Sequence, residues 1–532
     1  MKSVVAVLSA AAVAQAVSFK IGTIHHESAP VLDATNANTI PGAYIIKFKD
    51  HVDEPKAQSH HAWVSDIHND GEQQRLELRK RGLFDSVEDI FSGLKHTFDL
   101  GSGFRGYAGH FDDAVIEQIR NHPDVEVIER DSIVRTMVPV TTKETISEDS
   151  CKPETEKQAP WGLARISHRK TLGFGTFNKY LYAQEGGEGV DAYVIDTGTN
   201  IDHVDFEGRA KWGYTAPDGD EDEDGNGHGT HCSGTIAGKK YGVAKKANVY
   251  AVKVLRSNGS GSMSDVIKGV DWAAKSHKEQ VNAAKAGKRK GFKGSVANMS
   301  LGGGKTTLLD LAVDAAVTTG LHFAVAAGND NADACNYSPA ASKNAVTVGA
   351  STIDDSRAYF SNYGKCTDIF APGLNIQSTW IGSKYAINTI SGTSMASPHI
   401  CGLLAYYLSL QPASDSEYAV ASITPAQLKE NLITIGTKNA LSDIDAETPN
   451  VLAWNGGGCS DYSQIVNSGG YDAKSTSSKS ENIHTKIEHE LEVVSVEITK
   501  SAKTFGHKAE KFAKKIQHLV DVEVEEFLSH ME

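Results

Sequence analysis

The sequence predicts an α/β fold: a mostly parallel sheet with helices on both faces, preceded by a small α+β unit. Two observations predict it. Short apolar runs alternate with helix-length segments through the middle of the chain, a pattern of parallel sheets covered on both faces. Ahead of them, three strand-like runs and one helix-like run are set apart by a polar stretch of Thr, Lys, Glu, Ser and Pro. Such a stretch reads as a linker.

The small unit spans residues 42–136. Ala43–Phe48, Phe104–Phe111 and Val125–Ile128 read as strands, and Ala114–Asn121 as a short helix closed by Pro123. It holds His51, His60, His61, His68, His96, His110 and His122. Their charge changes between about pH 5 and 8. Scattered surface histidines are the simple reading, and a pH-sensing set is the functional one. Residues 137–160 form the linker. Residues 161–460 form the α/β domain. Its strand runs are Val190–Ile195, Val249–Leu255, Val296–Leu301, His322–Ala327 and Ala345–Val348, with helices such as Met263–Lys275 and Leu308–Thr319 between them. Active sites on such sheets lie beyond the carboxyl ends of the strands.

The two ends differ from the middle. Residues 1–16 read as a signal peptide: Lys2, an apolar core from Val4 to Val13, and the small-x-small site Ala14-Gln15-Ala16. Residues 17–41 follow as an N-terminal pro-segment. Residues 461–532 read as a charged tail. Ile483, Ile487, Leu491, Ile498, Phe505, Phe512, Ile516 and Leu519 recur at roughly helical spacing. An amphipathic helix and a solvated disordered extension both fit.

Composition narrows the function. The 532 residues carry 53 basic and 67 acidic side chains, and 53 − 67 = −14. An acidic chain argues against a nucleic-acid partner. The only long apolar run is the N-terminal one, too short for a stable membrane span. Entry to the secretory pathway permits disulfides. The 6 cysteines include no CxxC pair, which argues against structural zinc.

Three motifs carry chemistry. Val194-Ile195-Asp196-Thr197-Gly198 ends an apolar strand on a carboxylate. Gly227-His228-Gly229-Thr230-His231-Cys232 sets an imidazole between glycines at a helix start. Ser391-Gly392-Thr393-Ser394-Met395-Ala396-Ser397-Pro398-His399 places a hydroxyl at the mouth of an apolar helix. Pro398 is tolerated in a first turn. A serine needs an adjacent base to act as a nucleophile. His228 supplies one, Asp196 fixes its tautomer, and the helix N-terminus at Ser394 offers an N–H to an oxyanion. Asn329, in Ala326-Ala327-Gly328-Asn329, ends another strand and offers a side-chain amide.

These motifs, in the chain order Asp196, His228, Ser394, resemble the subtilisin-like serine proteases. The stretch from Trp161 to about Asn455 is similar to proteinase K, and closer to the fungal vacuolar subtilases of the cerevisin type. The resemblance implies a subtilisin-like sheet and a catalytic triad of Asp196, His228 and Ser394. It also implies an oxyanion hole from Asn329 and the Ser394 N–H. Residues 42–136 resemble the inhibitor-type propeptide, which implies a self-cleaving zymogen with its own propeptide as intramolecular inhibitor. Gly259, Ser260 and Gly261, with Leu301, Gly302 and Gly303, resemble the two strand edges that sandwich a polypeptide substrate. Ala326, Ala327 and Gly328 resemble the walls of a roomy, uncharged specificity pocket. A broad-specificity endopeptidase follows, vacuolar or extracellular. A narrow processing enzyme and a silent binding protein are its rivals, although all four site positions are intact.

The resemblance also implies a Cys335–Cys366 disulfide. It implies a structural calcium on Asp368 with the carbonyls of Lys343 and Ala345, and no cofactor for the chemistry itself. Cys151 and Cys459 flank the enzyme and are candidates to pair, while Cys232 and Cys401 read as buried thiols. Of the sequons at Asn258, Asn298 and Asn336, Asn258 is the expected glycan site. Asp218, Asp220, Glu221, Asp222, Glu223 and Asp224 read as a solvated acidic loop, and the basic stretch Lys285–Lys293 as a surface loop. The P-loop-like Gly302–Thr306 fails, because Met299 stands where the first glycine is required. His228 and His231 lack the helix-borne Glu of a zinc pair.

Overall fold

A computed structural model describes residues 28–33, 38–80, 92–101, 103–136, 153–173, 175–413, 415–416 and 422–476. The expected signal peptide and the charged tail beyond residue 476 lie outside these residues.

The N-terminal unit contains β1 (Thr39–Phe48), α1 (Glu54–Lys80), β2 (Gly93–Asp99), β3 (Arg105–His110), α2 (Asp113–Arg120) and β4 (Val125–Thr136). Its strands run antiparallel in the order β4-β1-β3-β2. Asp112 caps α2 by accepting the Val115 N–H at 2.8 Å. The sequence pattern misses α1. Its buried stripe is Ala57, His60, Val64 and His68. The spacing is helical, but two of the four positions are histidines, so apolar periodicity alone does not register it. Val31–Leu32 pairs with β4, so the unit begins earlier than residue 42.

The α/β domain is built on β5 (Val190–Asp196), β6 (Ala210–Thr215), α3 (His228–Ala237), β7 (Asn248–Lys253), β8 (Ser260–Ser262), α4 (Met263–Lys285), β9 (Gly294–Met299), β10 (Leu301–Gly304), α5 (Thr307–Thr318), β11 (His322–Ala326), β12 (Tyr337–Ser338), β13 (Val346–Ser351), β14 (Ile369–Pro372), α6 (Thr393–Ser409), α7 (Pro425–Ile435), β15 (Thr437–Lys438), β16 (Val451–Leu452) and β17 (Tyr471–Asp472). The central sheet has the order β17-β15-β16-β14-β13-β11-β9-β5-β7-β6. Pairing is parallel throughout except between β15 and β16.

Alternation along the strands assigns the two faces. Ala192, Val194, Val296 and Ala324 join the core under α3 and α6. Tyr193, Ile195, Ala297 and Phe323 join the core under α4 and α5. Both faces are apolar because helices cover both.

Three expected boundaries move. Glu154–Lys157 pairs with Lys179–Tyr182, so the polar linker ends in a strand. The helix expected over Met263–Lys275 continues to Lys285. The tail expected from residue 461 starts inside the fold: Tyr462–Asn467 is a helix with Ile465 buried, and β17 pairs with β15.

β4 is also longer than the expected Val125–Ile128. Its last residues leave the N-terminal unit and lie between β8 and β10, antiparallel to both. Thus one sheet, β12-β10-β4-β1-β3-β2, crosses from one unit into the other.

Candidate active site

Asp196 ends β5, whose residues are all buried. Its Oδ1 accepts the Thr197 N–H at 2.8 Å and lies 2.7 Å from Nδ1 of His228. A carboxylate beside Nδ1 holds the proton there and leaves Nε2 as the acceptor. Nε2 is buried and has no partner among the described residues.

His228 opens α3, and Asp224 anchors that opening. Asp224 Oδ1 accepts from the N–H groups of Asn226 (3.0 Å) and Gly227 (2.9 Å) and from the Thr197 hydroxyl (2.9 Å). Its Oδ2 accepts from the Thr230 N–H (2.9 Å) and hydroxyl (2.6 Å). This corrects the reading of the acidic run as a solvated loop at Asp220 and Asp224, while Asp218, Glu221, Asp222 and Glu223 are exposed as expected. Asp224 is buried, and Asp220 pairs with the buried Lys253 at 3.4 Å. Six acidic residues within seven positions hide which one faces inward.

Ser394 lies in the first turn of α6. Its hydroxyl donates to the Ser300 carbonyl at 2.8 Å, and the Ser300 hydroxyl donates back to the Ser394 carbonyl at 2.7 Å. Asn298 donates to the Ser300 hydroxyl at 2.9 Å and accepts from Ser397 at 2.8 Å. That network uses the buried sequon asparagine as a strut. Cys232, one turn along α3 from His228, donates to the Ser394 carbonyl at 3.4 Å. The two helix starts therefore meet. Burial pushes the Cys232 thiol well above its ordinary pKa.

Asn329 follows β11. Thr393 binds its Oδ1, so the carbonyl end of the amide is committed. Its Nδ2 is buried and has no partner among the described residues. Asn362 supports this loop, a role the sequence did not reveal. It donates to the Ala327 carbonyl at 2.9 Å and accepts from the N–H groups of Asp330 and Ala332, each at 3.0 Å. Gly328 sits at φ 109°, and a Cβ there would lie 2.2 Å from Asn362 Nδ2. The expected pocket walls Ala326 and Ala327 are buried beside it.

The expected groove holds the chain's own β4. Arg135, Val134 and Ile133 pair with Ser260, Gly261 and Ser262, and Thr136 and Arg135 pair with Leu301 and Gly302. The Thr136 N–H donates to the Gly259 carbonyl at 3.2 Å. A Cβ on Gly303 would lie 3.2 Å from the Ile133 carbonyl and 3.4 Å from Val134. Small residues are needed where another backbone approaches this closely.

The N-terminal unit also caps two enzyme helices. Glu129 accepts the N–H groups of Thr307 (2.9 Å) and Leu308 (2.8 Å) at the start of α5. Asp131 accepts the Ser264 N–H (3.1 Å) and hydroxyl (2.5 Å) at the start of α4. His96 and Lys95 reach Asp265 at 2.7 and 2.9 Å. Burial alone would raise Asp265, but these partners outweigh it and hold the carboxyl at about 2.

Cys335 and Cys366 form a disulfide. Cys459 is disulfide-bonded, while Cys151 lies outside the described residues. Cys232 and Cys401 are buried free thiols. Asn258 is exposed and accepts from the Ser260 N–H and hydroxyl. Asp368 Oδ2 pairs with Lys429 Nζ at 2.8 Å. Among the described residues, no helix is long and apolar enough to cross a membrane.

Comparison with known proteins shows the family. A family model described as "Subtilase family" matches residues 187–448, and one described as "Peptidase inhibitor I9" matches residues 43–137. The chain is 67% identical over 534 residues to "Subtilisin-like proteinase Spm1" of Pyricularia oryzae, covering 99% of each chain. It is 61% identical to "Subtilisin-like serine protease Cla h 9.0101" of Davidiella tassiana, covering 100% of this chain and 99% of that protein. A solved structure titled "Crystal structure of a cold adapted subtilisin-like serine proteinase" shares 46% identity, covers 56% of this chain and 99% of its own, and has a TM-score of 0.49. The chain belongs to the subtilase family of serine proteases and carries an I9 inhibitor propeptide ahead of its enzyme domain.

Proposed function

We propose that Asp196, His228, Ser394 and Asn329 make this protease an endopeptidase acting through an acyl-enzyme. One observation carries the reading: Nε2 of His228 and Nδ2 of Asn329 are both buried without partners among the described residues. A buried polar atom without a partner costs about 1–3 kcal/mol, so such atoms mark a place where a reacting group completes the set. Rotation of the Ser394 side chain away from Ser300 brings its hydroxyl to His228. Oγ attacks the peptide carbonyl and its proton passes to Nε2. The oxyanion accepts from Asn329 Nδ2 and the Ser394 N–H. His228 returns the proton to the leaving amine. Water, activated by the same imidazole, then releases the acid and restores the Ser394 hydroxyl.

Broad specificity rests on the small, uncharged walls at Ala326, Ala327 and Gly328, and on a groove that reads mainly backbone through Gly259, Ser260, Gly261, Leu301, Gly302 and Gly303. The segment Ile133–Thr136 occupies that groove as an added strand, which supports an enzyme silent until its propeptide is cut and released. The N-terminal apolar stretch supports secretory entry. A vacuole is the proposed destination, resting on the resemblance to cerevisin-type enzymes. Asn258 is the proposed glycan site.

The test is casein hydrolysis by the purified chain, with and without a serine-directed sulfonyl fluoride, beside Ser394→Ala. Cleavage abolished by both, with Ser394→Ala retaining its propeptide, supports the proposal. A wild type that matures and then leaves casein intact sinks it.

A further inference from the structure

The calcium site implied by the resemblance has its donors committed to another cation. Lys429, in α7, places Nζ 2.8 Å from Asp368 Oδ2, 2.6 Å from the Ala345 carbonyl and 3.2 Å from the Lys343 carbonyl. These are the three groups expected to hold calcium. An ammonium has three N–H donors, and here it has three oxygen acceptors. The second contact of Asp368 Oδ2 is the Thr347 N–H, at 2.8 Å.

The residues present do not fit calcium. That ion takes six to eight oxygens at about 2.3–2.6 Å. The expected set offers one carboxylate and two carbonyls, and a fixed positive charge faces all three. We infer that Lys429 is a tethered replacement for a structural cation, so that this side of the enzyme is held together without metal.

The placement shows what the ammonium would hold. Ala345 leads into β13, and Asp368 leads into β14. Asp368 lies two residues beyond Cys366, whose disulfide reaches Cys335. β13 is the parallel neighbour of β11, the strand that ends in the pocket wall at Ala326. One side chain from α7 thus ties the loop before β13 to the segment before β14. Lys429 and Asp368 are largely shielded, with side-chain exposures of 18% and 21%, so solvent screens the pair less than a surface ion pair. Burial pushes the Asp368 carboxyl upward, while Lys429 and the Thr347 N–H act against that rise.

The experiment uses the full chain carrying Ser394→Ala, so that self-digestion does not intervene. Melting temperature is read in a calcium chelator and in millimolar calcium chloride, for this parent and for Lys429→Met, Asp368→Asn and the double variant. Isothermal titration of the parent with calcium chloride gives a second readout that needs no change at Lys429. The parent is expected to melt at the same temperature in both solutions and to show no calcium heat that Asp368→Asn removes. Each single substitution is expected to lower melting by several degrees, and the double variant to fall no further than the worse single. Two results would overturn the inference. One is a calcium-induced rise, or a calcium heat, in the parent that Asp368→Asn abolishes. The other is an unchanged melting temperature in Lys429→Met.

Discussion

Asn329 Oδ1 accepts both the backbone N–H of Thr393, at 2.9 Å, and its hydroxyl, at 2.8 Å. Thr393, the residue before Ser394, thereby fixes the amide that the proposed mechanism assigns to the oxyanion hole. With its oxygen committed, Asn329 has only N–H groups to offer. Replacing Asn329 with Ala is expected to lower kcat by about 10²–10³-fold with little change in KM. Thr393→Val keeps the backbone anchor and loses the hydroxyl, so a smaller fall is expected. Steady-state kinetics on a peptide anilide separates the two. An Asn329→Ala enzyme with normal kcat would remove the side chain from the oxyanion hole.

Asp224 organises the loop that delivers His228. It accepts five hydrogen bonds from Thr197, Asn226, Gly227 and Thr230. Asp224→Asn keeps the size but cannot accept at both ends, so it strands buried donors at about 1–3 kcal/mol each. A lower melting temperature and a kcat reduced at least tenfold are expected. Ordinary kcat in a stably folded Asp224→Asn enzyme would limit Asp224 to a structural role.

Glu129 and Asp131 hold the propeptide by capping α5 and α4 of the enzyme. Charge-assisted hydrogen bonds at helix N-termini are worth about 1–3 kcal/mol. Removing both carboxylates, as Glu129→Ala with Asp131→Ala, is expected to speed release of the cleaved propeptide at least tenfold. Gel analysis of maturation over time checks this. The groove strand still binds through its backbone, so faster release without loss of self-cleavage is the specific signature.

Acidification is expected to act on the propeptide through buried His60. His60 lies 3.0 Å from the Tyr107 hydroxyl and edge-on to His122. Burial, then the charges of His122 and His61, lower its pKa from 6.5 to about 3. The folded propeptide therefore binds fewer protons here than the unfolded one. The stability this neutral imidazole lends is complete above pH 6.5 and falls away as the pH drops toward about 3. At Asp265 burial would raise the carboxyl, but His96 and Lys95 outweigh it and lower the pKa from 3.8 to about 2, so its contribution persists until the pH passes below 3.8. Burial raises Glu129 and Asp131, whose proton uptake opposes the histidine effect. The difference made by His60 is the clean readout. His60→Leu is expected to move the onset of propeptide release to lower pH, and an unmoved onset would exclude His60 as a sensor.

Much of the chemistry was legible because it is local. Asp196, His228, Ser394 and Asn329 each sit at the end of a strand or the start of a helix, where neighbouring residues announce the turn. What escaped the sequence depends on contacts between distant segments. β4 continues past Ile128 only because β8 and β10 flank it, and it buries Glu129 and Asp131 where a strand pattern expects apolar residues. α1 buries His60 and His68 on its apolar stripe. Lys429 reads as one more surface lysine on α7 until the fold brings it to Asp368.

Cys232 offers a chemical handle on the same site. Its sulfur lies within 4.8 Å of ligand atoms on Asp196 and His228, and its thiol donates to the Ser394 carbonyl. Burial keeps it protonated, so alkylating agents that need a thiolate are expected to react slowly. A soft, compact metal such as mercury binds thiols strongly and displaces the proton. Once bound, it would lie against the imidazole and spoil the hydrogen bond between His228 and Asp196. Mercuric chloride is expected to abolish activity of the mature enzyme, with recovery on adding excess thiol. Cys232→Ala is expected to keep activity and resist mercury, whereas Cys401→Ala stays sensitive. Residual activity against a peptide substrate gives the answer, and mercury sensitivity retained in Cys232→Ala would place the reactive group elsewhere.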